Sequence, residues 1–174
     1  MRRALVPILV ILLAAGCGGT GVPPLTWAGS VCEALTPWRD QINGLNAQAA
    51  QEMSAAKTPR QTRDNLLRLL AGARQASERA RAKVAAAGVP AVGGGKTIAD
   101  RFVASLAGVR DAYGRAHDTI QGLPLGTAKT FYDAVAAAIA NLNKEYAQAG
   151  LDTGRLASAE LRKDFNEAPA CASG

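Results

Sequence analysis

The most regular feature of the chain is a stripe of apolar residues that recurs every three or four positions between residues 98 and 120. Its members are Ile98, Phe102, Leu106, Val109, Tyr113, Ala116 and Ile120. An α-helix turns once in about 3.6 residues, so these steps place the whole stripe on one helical face. Gly122 and Pro124 follow it, and both residue types end helices. The pattern predicts a long helix that opens at Thr97 and stops before Gly122.

Three further segments carry the same periodicity. They run through Leu35, Trp38, Ile42 and Leu45; through Leu66, Leu70, Ala73, Ser77, Ala80 and Val84; and through Phe131, Val135, Ala138, Leu142 and Tyr146. A short fifth helix is predicted from Ser158 to about Glu167, before Pro169. Four long helices joined by short loops favour antiparallel neighbours. We therefore predict an all-α fold, an up-down-up-down four-helix bundle with a short C-terminal helix.

Local signals suggest where the first helix begins. The segment from Ser30 to Glu33 matches a capping box, in which the serine and the glutamate satisfy backbone N–H groups reciprocally. This predicts a start near Val31. Pro37 removes one intrahelical hydrogen bond, so we expect a kink or a restart there with Thr36 as the cap. The helix should then run to about Ala56.

The other helix ends are marked more simply. Thr58 followed by Pro59 is a start signal for the second helix, and Gly88 should end it. Thr127 should cap the fourth helix and Gly150 should end that one.

The N-terminus has the layout of a secretory signal. Arg2 and Arg3 precede an apolar run from Leu5 to Ala15, and small residues lead to Cys17. The run is too short to cross a bilayer, which needs roughly 20 apolar residues. A cysteine directly after the small residues resembles the lipobox of bacterial lipoproteins. That resemblance implies that Cys17 receives a diacylglyceryl thioether, with palmitate-type acyl chains, before cleavage.

The lipobox predicts how the chain is divided. Residues 1–16 would be a lipoprotein signal peptide, 17–26 a lipid-anchored flexible spacer, and 27–174 the helical-bundle domain. Lipobox sequences prefer Leu three positions before the cysteine, where this chain has Ala14 with Leu13 one place earlier. The alternative is an ordinary cleaved signal followed by a free cysteine. Removal of the signal leaves 174 − 16 = 158 residues, which suits one domain.

Two cysteines remain besides Cys17, and they lie near the two ends of the predicted domain. A secreted protein meets an environment that permits disulfides, so we expect Cys32 and Cys171 to be bonded. Two free thiols or a metal pair are the alternatives. A metal site is disfavoured because the chain has one histidine, elsewhere in the sequence. No cofactor is predicted.

Basic residues concentrate on the second helix. Between residues 57 and 83 there are eight: Lys57, Arg60, Arg63, Arg68, Arg74, Arg79, Arg81 and Lys83. Asp64 and Glu78 oppose them, so the segment carries +6. The processed chain would have 18 basic and 14 acidic residues, so its whole surplus lies here. The helix could contact anionic headgroups or an envelope polymer, or it could be a solvated arginine-rich face. Nucleic acid is a poor partner, since aromatic residues do not interleave with the charges.

A few other residues and motifs bear on catalysis or ligand binding. The segment from Gly93 to Thr97 resembles the end of a phosphate-binding P-loop, but Pro90 occupies the position where that loop needs its first glycine. His117 is the only histidine and lies off the main stripe of its helix, which favours a surface position. We predict no catalytic residues. Trp27 and Trp38 are expected to cover the disulfide end of the core, with an exposed binding patch as the alternative.

The chain as a whole resembles the small, uncharacterised lipoproteins of actinobacteria. Three features carry the resemblance: the lipobox at Cys17, the segment 31–38, and the two short stretches 158–161 and 168–171. It implies an envelope location and a helical domain. From this we predict a membrane-anchored, extracytoplasmic protein with a non-enzymatic binding or interaction role. One alternative is a carrier of a small apolar or lipid ligand between the helices. Another is an adaptor that docks on a membrane complex or an anionic surface through the basic second helix.

Overall fold

The protein is helical throughout the part that its computed structural model describes, which comprises residues 21–56, 58–150 and 159–172. The helices are α1 (Pro24–Ala55), α2 (Pro59–Ala86), α3 (Gly95–Gln121), α4 (Ala128–Ala149) and α5 (Ala159–Glu167), followed by a 3₁₀ helix at Pro169–Cys171. These described ranges contain no β-strand. The predicted all-α class is confirmed.

Successive helices lie antiparallel. Residue numbers rise along one helix as they fall along its neighbour: Arg79 and Arg68 of α2 bond to Gln41 and Glu52 of α1. Further cross-helix contacts repeat the trend between α2 and α3, and between α3 and α4. The most extensive packing is between α2 and α3. The structure is therefore the predicted up-down-up-down four-helix bundle with a short C-terminal helix.

Two helix starts follow the predicted threonine caps. The Gln61 amide donates to Oγ1 of Thr58 over 3.2 Å, and the Thr130 amide donates to Oγ1 of Thr127 over 3.4 Å. Each bond satisfies a backbone donor that the first helical turn leaves without an intrahelical acceptor. The predicted starts of α2 and α4 are confirmed.

The predicted start of α1 near Val31 is wrong, because the helix already begins at Pro24. Proline suits a first helical position, and the Trp27 amide closes the first turn on the Pro23 carbonyl over 2.9 Å. Trp27 is also fully buried, so tertiary packing stabilises a turn that the capping pattern does not mark. The Ser30–Glu33 segment lies inside the helix.

The restart predicted at Pro37 does not occur, and the predicted start of α3 at Thr97 is wrong. The helix α1 continues through Pro37, an exposed residue between the buried side chains of Leu35 and Trp38, so packing on both sides maintains it. The helix α3 begins at Gly95, two residues before Thr97. Its N-cap is Gly94 at φ +71°, a backbone conformation that glycine adopts readily.

The chain before α1 is held against the loop between α2 and α3. The Val22 amide donates to the Val89 carbonyl over 2.8 Å, and the Ala91 amide donates to the Val22 carbonyl over 2.8 Å. Gly21 lies so close to Ala91 that an added Cβ would come within 2.9 Å of its Cα. We call this pair of hydrogen bonds the N-terminal clamp. Residues 22–26 were assigned to the spacer from the sequence. In the structure, Val22 is hydrogen-bonded to the loop between α2 and α3, and residues 24–26 belong to α1.

Two core clusters fill the bundle. The proximal core, near the clamp, centres on Trp27, Val31, Leu35, Phe102, Leu106, Leu161 and Phe165. The distal core centres on Leu66, Leu70, Ala112, Ile120, Phe131, Val135 and Leu142. We use proximal and distal for the corresponding ends of the bundle.

The division into two cores follows from the length of α4. Its last residue, Ala149, lies against Gly108 in the middle of α3, where an added Cβ would be 3.3 Å from the alanine side chain. The proximal half of α3 therefore extends beyond α4. The helix α5 packs mainly on α1 and contacts that half of α3 through Phe165, which stacks on Phe102 with ring centroids 5.9 Å apart. Among the described helices, none combines the length and the apolar character needed to cross a bilayer.

Candidate functional site

The basic residues of α2 divide between two flanks of the helix. On the flank facing α1, Arg68 is 2.8 Å from Glu52 and 2.6 Å from the side-chain oxygen of Asn65. Arg79 donates to the Gln41 side chain over 2.9 Å. These two guanidinium groups are therefore engaged by polar side chains of the bundle itself.

The other flank of α2 faces α3 and carries a chain of four charged groups. Arg81 donates to both carboxylate oxygens of Glu78, over 2.6 and 2.9 Å, and Arg110 donates to one of the same oxygens over 2.8 Å. Arg110 also donates from Nε to Asp111 over 2.8 Å. We call these four residues the charged quartet. Because it joins α2 to α3, it connects two helices that are already the most extensively packed pair.

Hydrogen bonds fix the charges of the quartet. Those from Arg81 and Arg110 lower the pKa of Glu78 to about 2, against the opposing effect of desolvation. The hydrogen bond from Arg110 lowers the pKa of Asp111 as well. Both carboxylates stay ionised at neutral and mildly acidic pH. The quartet can bind and orient a charged partner, but these carboxylates have no proton to exchange near neutral pH.

An open groove follows the seam between α2 and α3. Its larger part, about 700 Å³, is lined by Ala71, Gly72, Arg74, Gln75, Glu78, Arg110, Asp111 and His117. A second depression of about 520 Å³ shares Arg110 and continues toward the proximal end past Ala85, Ala104 and Ala107. We call the two together the α2–α3 groove. Charged and polar side chains line most of the larger part, and small apolar side chains line most of the second depression.

The remaining basic residues of the predicted set have few partners. Arg60, Arg74 and Lys83 are exposed, and none forms an ion pair with another described residue. Arg74 extends across Gly114, where an added Cβ would lie 3.5 Å from its Nε. Arg63 is half-buried, with Nε 3.9 Å from Asp64, which is too long for a hydrogen bond.

Lys57 and the predicted lipidation residue Cys17 lie outside the described residues. The other two predicted cysteines are bonded to each other: Cys32 and Cys171 form a disulfide with Cα atoms 5.1 Å apart. That prediction is confirmed. Within the described ranges, no three His, Cys, Asp or Glu side chains gather as a set that could hold a metal ion.

The P-loop-like segment is occupied by local contacts. Gly95 is buried, its amide donates to the Val92 carbonyl over 3.0 Å, and an added Cβ would collide with the Pro90 carbonyl oxygen. Lys96 forms an ion pair with Asp100 at 2.7 Å. The geometry serves a tight turn into α3 rather than a phosphate cradle, which needs free amides.

His117 is half-buried at one end of the groove, with Nδ1 3.0 Å from the Asp118 carboxylate. Both tryptophans are core residues, as predicted. Trp27 donates to the Gly88 carbonyl over 2.9 Å, and Trp38 donates to Oγ of Ser77 over 3.1 Å. Each buried indole N–H thus has an acceptor.

Sequence reasoning missed the contribution of α3 to this site. Arg110 and Asp111 lie between Val109 and Tyr113 of the apolar stripe. Glu78, the partner of Arg110 on α2, is 32 residues away in the sequence. One signal was present: Arg110 comes directly after a run of apolar or small residues from Val103 to Val109. Its partner could be identified only once the register of α2 against α3 was known.

Comparisons with known proteins returned nothing for this chain: no protein-family model, no curated protein and no solved structure matches it.

Proposed function

We propose that this protein is a lipid-anchored component of the cell envelope with a non-enzymatic binding role. Acyl chains on Cys17 would hold it at the extracytoplasmic face of the cell membrane. The observation that carries the proposal is the Cys32–Cys171 disulfide. Structural disulfides persist in oxidising compartments and are rare in reducing ones. With those two cysteines bonded, Cys17 is the one that remains for the lipid.

The distance between anchor and fold supports the same proposal. Val22 of the N-terminal clamp follows Cys17 by five residues. A signal peptide cleaved before Cys17 would leave the whole described bundle intact. Two acyl chains give stable membrane attachment, whereas a single chain binds reversibly.

Fixed charge in the α2–α3 groove supports binding rather than proton transfer. The two guanidinium groups and the two carboxylates of the quartet are paired with one another, and Arg74 lies beside them in the groove. A groove of this kind is suited to a charged or polar surface of a partner. The carrier alternative gains no support here, because Trp27, Phe102 and Phe165 fill the space between the helices in the proximal core.

The adaptor alternative is favoured by one observation. Arg60, Arg74 and Lys83 are exposed cations without an ion pair to another described residue. They leave part of the positive charge of α2 available to an anionic partner, whereas Arg68 and Arg81 are already paired.

The lipid anchor is tested by the mass of the protein from native membranes. We expect a mature chain that begins at Cys17 and carries the added mass of a diacylglyceryl group. A Cys17→Ser variant should leave the membrane fraction or retain its signal peptide. Thr20→Ala changes a nearby residue outside the lipobox and should be processed normally. A membrane-free wild type without lipid mass would disprove the anchor.

The adaptor alternative is tested on the secreted Cys17→Ser chain with phosphatidylglycerol vesicles. Combined Arg60→Glu, Arg74→Glu and Lys83→Glu should weaken binding, since each basic residue near an anionic surface contributes about 1 kcal/mol, or roughly fivefold in affinity. The matched control reverses Arg39, Lys129 and Lys144, which are exposed on α1 and α4, and changes the net charge equally. An equal loss in both variants would contradict a specific basic face.

A further inference from the structure

We propose that the bundle stands end-on against the bilayer, with the loop of residues 88–92 and the first turn of α1 in the anionic headgroup layer. The proximal end would then be a second, weaker membrane contact beside the lipid. This inference rests on the proposed lipid anchor at Cys17.

The short connection between anchor and bundle carries the inference. Four peptide units join Cys17 to Gly21, and a fully extended chain spans at most about 3.6 Å per residue, so the connection reaches at most about 14 Å. The N-terminal clamp fixes the next residue, Val22, to Val89 and Ala91. The lipid therefore cannot be far from the loop between α2 and α3. The polar layer of a bilayer is itself about 5–8 Å thick on each side.

Exposed apolar side chains lie at this end of the molecule. Leu25 is 45% exposed and Val89 is 38% exposed, and both are within three residues of a clamp residue. Pro23 and Ala91 are exposed beside them. Large apolar side chains at the site where a lipid anchor brings the chain to the interface are suited to insertion among headgroups.

The charge of the proximal end matches an anionic surface. Lys96 and Arg101 are exposed on the first two turns of α3, and Lys83 is exposed on the last two turns of α2. Asp100 opposes them through its ion pair with Lys96. Neither α1 nor α3 has an acidic residue in its first turn. Anionic headgroups attract such a cluster, whereas a neutral bilayer would not.

In an end-on bundle, Lys83 of α2 lies near the membrane, whereas Arg74 and Arg60 lie farther from it. At 1.5 Å per residue, Arg74 would stand about 20 Å and Arg60 about 42 Å above Gly88 along the helix. Salt screens charges over about 8–10 Å, so neither guanidinium would be attracted to the membrane that anchors the protein. Their partner would have to reach them from the envelope side.

Site-directed spin labelling of the lipidated full chain tests the orientation. Single cysteines would be introduced at exposed positions: Val89→Cys and Leu25→Cys at the proximal end, Gln75→Cys in the middle of α2, and Gln121→Cys at the distal end of α3. The existing cysteines are bonded or, under the proposal, lipidated. Each protein would be reconstituted in phosphatidylglycerol-containing vesicles and floated on a density gradient. Accessibility to a water-soluble nickel chelate and to oxygen would then be compared.

We expect nickel accessibility at positions 25 and 89 to fall about threefold on reconstitution, because side chains at the headgroup boundary are removed from bulk water. Positions 75 and 121 should not change. Using two proximal positions keeps the test valid if one label perturbs the fold. Unchanged accessibility at both 25 and 89, or a fall at 75 equal to that at 89, would overturn the end-on orientation. Protein that does not float would overturn the anchor itself, so the two failures are distinguishable.

Discussion

The proximal and distal halves of the bundle are stabilised in different ways. In the proximal half, Trp27 contacts Phe102 and Phe165 edge-on at 5.5 and 6.0 Å, and the disulfide links α1 to the end of the chain. The distal core holds one aromatic ring that is fully buried, Phe131, among leucines and alanines. Alanines make up the same third of the buried residues in both cores, so the large aromatic side chains and the disulfide, and not alanine content, distinguish the proximal half.

This difference follows from where α4 ends. The helix α4 stops beside Gly108, so the proximal half of α3 needs another cover. A nine-residue helix cannot hold that position by its own stability, since isolated helices shorter than about 12–15 residues are marginal in water. The aromatic cluster and the disulfide compensate for the shortness of α5. Four changes test this interpretation, in order of expected effect.

Removing the disulfide should have the largest effect. The double variant Cys32→Ser, Cys171→Ser opens a loop with a sequence separation of 139. The chain-entropy relation predicts a loss of about 5 kcal/mol in the free energy of unfolding. Hydrogen exchange should show the loss of protection first in α5 and only later in α4. Equal loss in the two helices would mean that the halves are not distinct.

Trp27→Ala should come next, with a loss of about 3–5 kcal/mol measured by urea unfolding. It deletes the central ring of the proximal core and leaves the Gly88 carbonyl without its indole donor. The distal comparison is Leu142→Ala, which should cost about 2 kcal/mol because the side chain lies at the margin of its core. If the distal variant costs more, large side chains do not distinguish the halves.

Ser77→Ala should cost about 1–3 kcal/mol, although it removes a single oxygen. Ser77 is fully buried and accepts the Trp38 indole N–H, which would be left without a partner. Ser54→Ala is the control, because Ser54 is exposed near the end of α1. The free energy of unfolding of this variant should lie within about 0.5 kcal/mol of the wild-type value. If Ser77→Ala left the free energy of unfolding unchanged, a water molecule would have to replace the hydroxyl as the acceptor of the Trp38 N–H.

The smallest effect is expected from the charged quartet. The pKa of Glu78 is lowered from its ordinary value to about 2, so its ion pairs stabilise the fold above pH 4.5. That contribution is lost as the pH falls toward 2. Wild type should therefore lose more stability than Glu78→Gln between pH 4.5 and pH 2, as measured by thermal unfolding across that range. Superimposable acid profiles would contradict a role for the quartet.

Local sequence signals predicted the features that depend on neighbouring residues. The threonine caps at Thr58 and Thr127 gave the starts of α2 and α4, and the apolar stripe gave α3 to within two residues at its start. The start of α1 failed because burial of Trp27 against other helices, and not the capping pattern at Ser30, determines it.

The site was predicted less completely than the fold. The excess of basic residues on α2 is visible in the sequence, but their partners are not. Arg68 meets Glu52 and Arg81 shares Glu78 with Arg110 only because of the register between helices. Spacing along one helix cannot supply that register. The division of α2 into an engaged flank and available cations is therefore a property of the tertiary structure.

The disulfide also determines which positions can carry an added protein. It returns residue 171 to α1, so the last described residues lie at the same end of the bundle as Val22. The opposite end contains the internal connection of residues 122–127, the full length of α3 away, or about 40 Å. A fluorescent protein joined after residue 174 would thus start near the end of the bundle that carries Val22, and would lie close to the membrane if the proposed anchor at Cys17 holds. An epitope inserted at Gly126 would be displayed at the far tip, where an antibody can reach it.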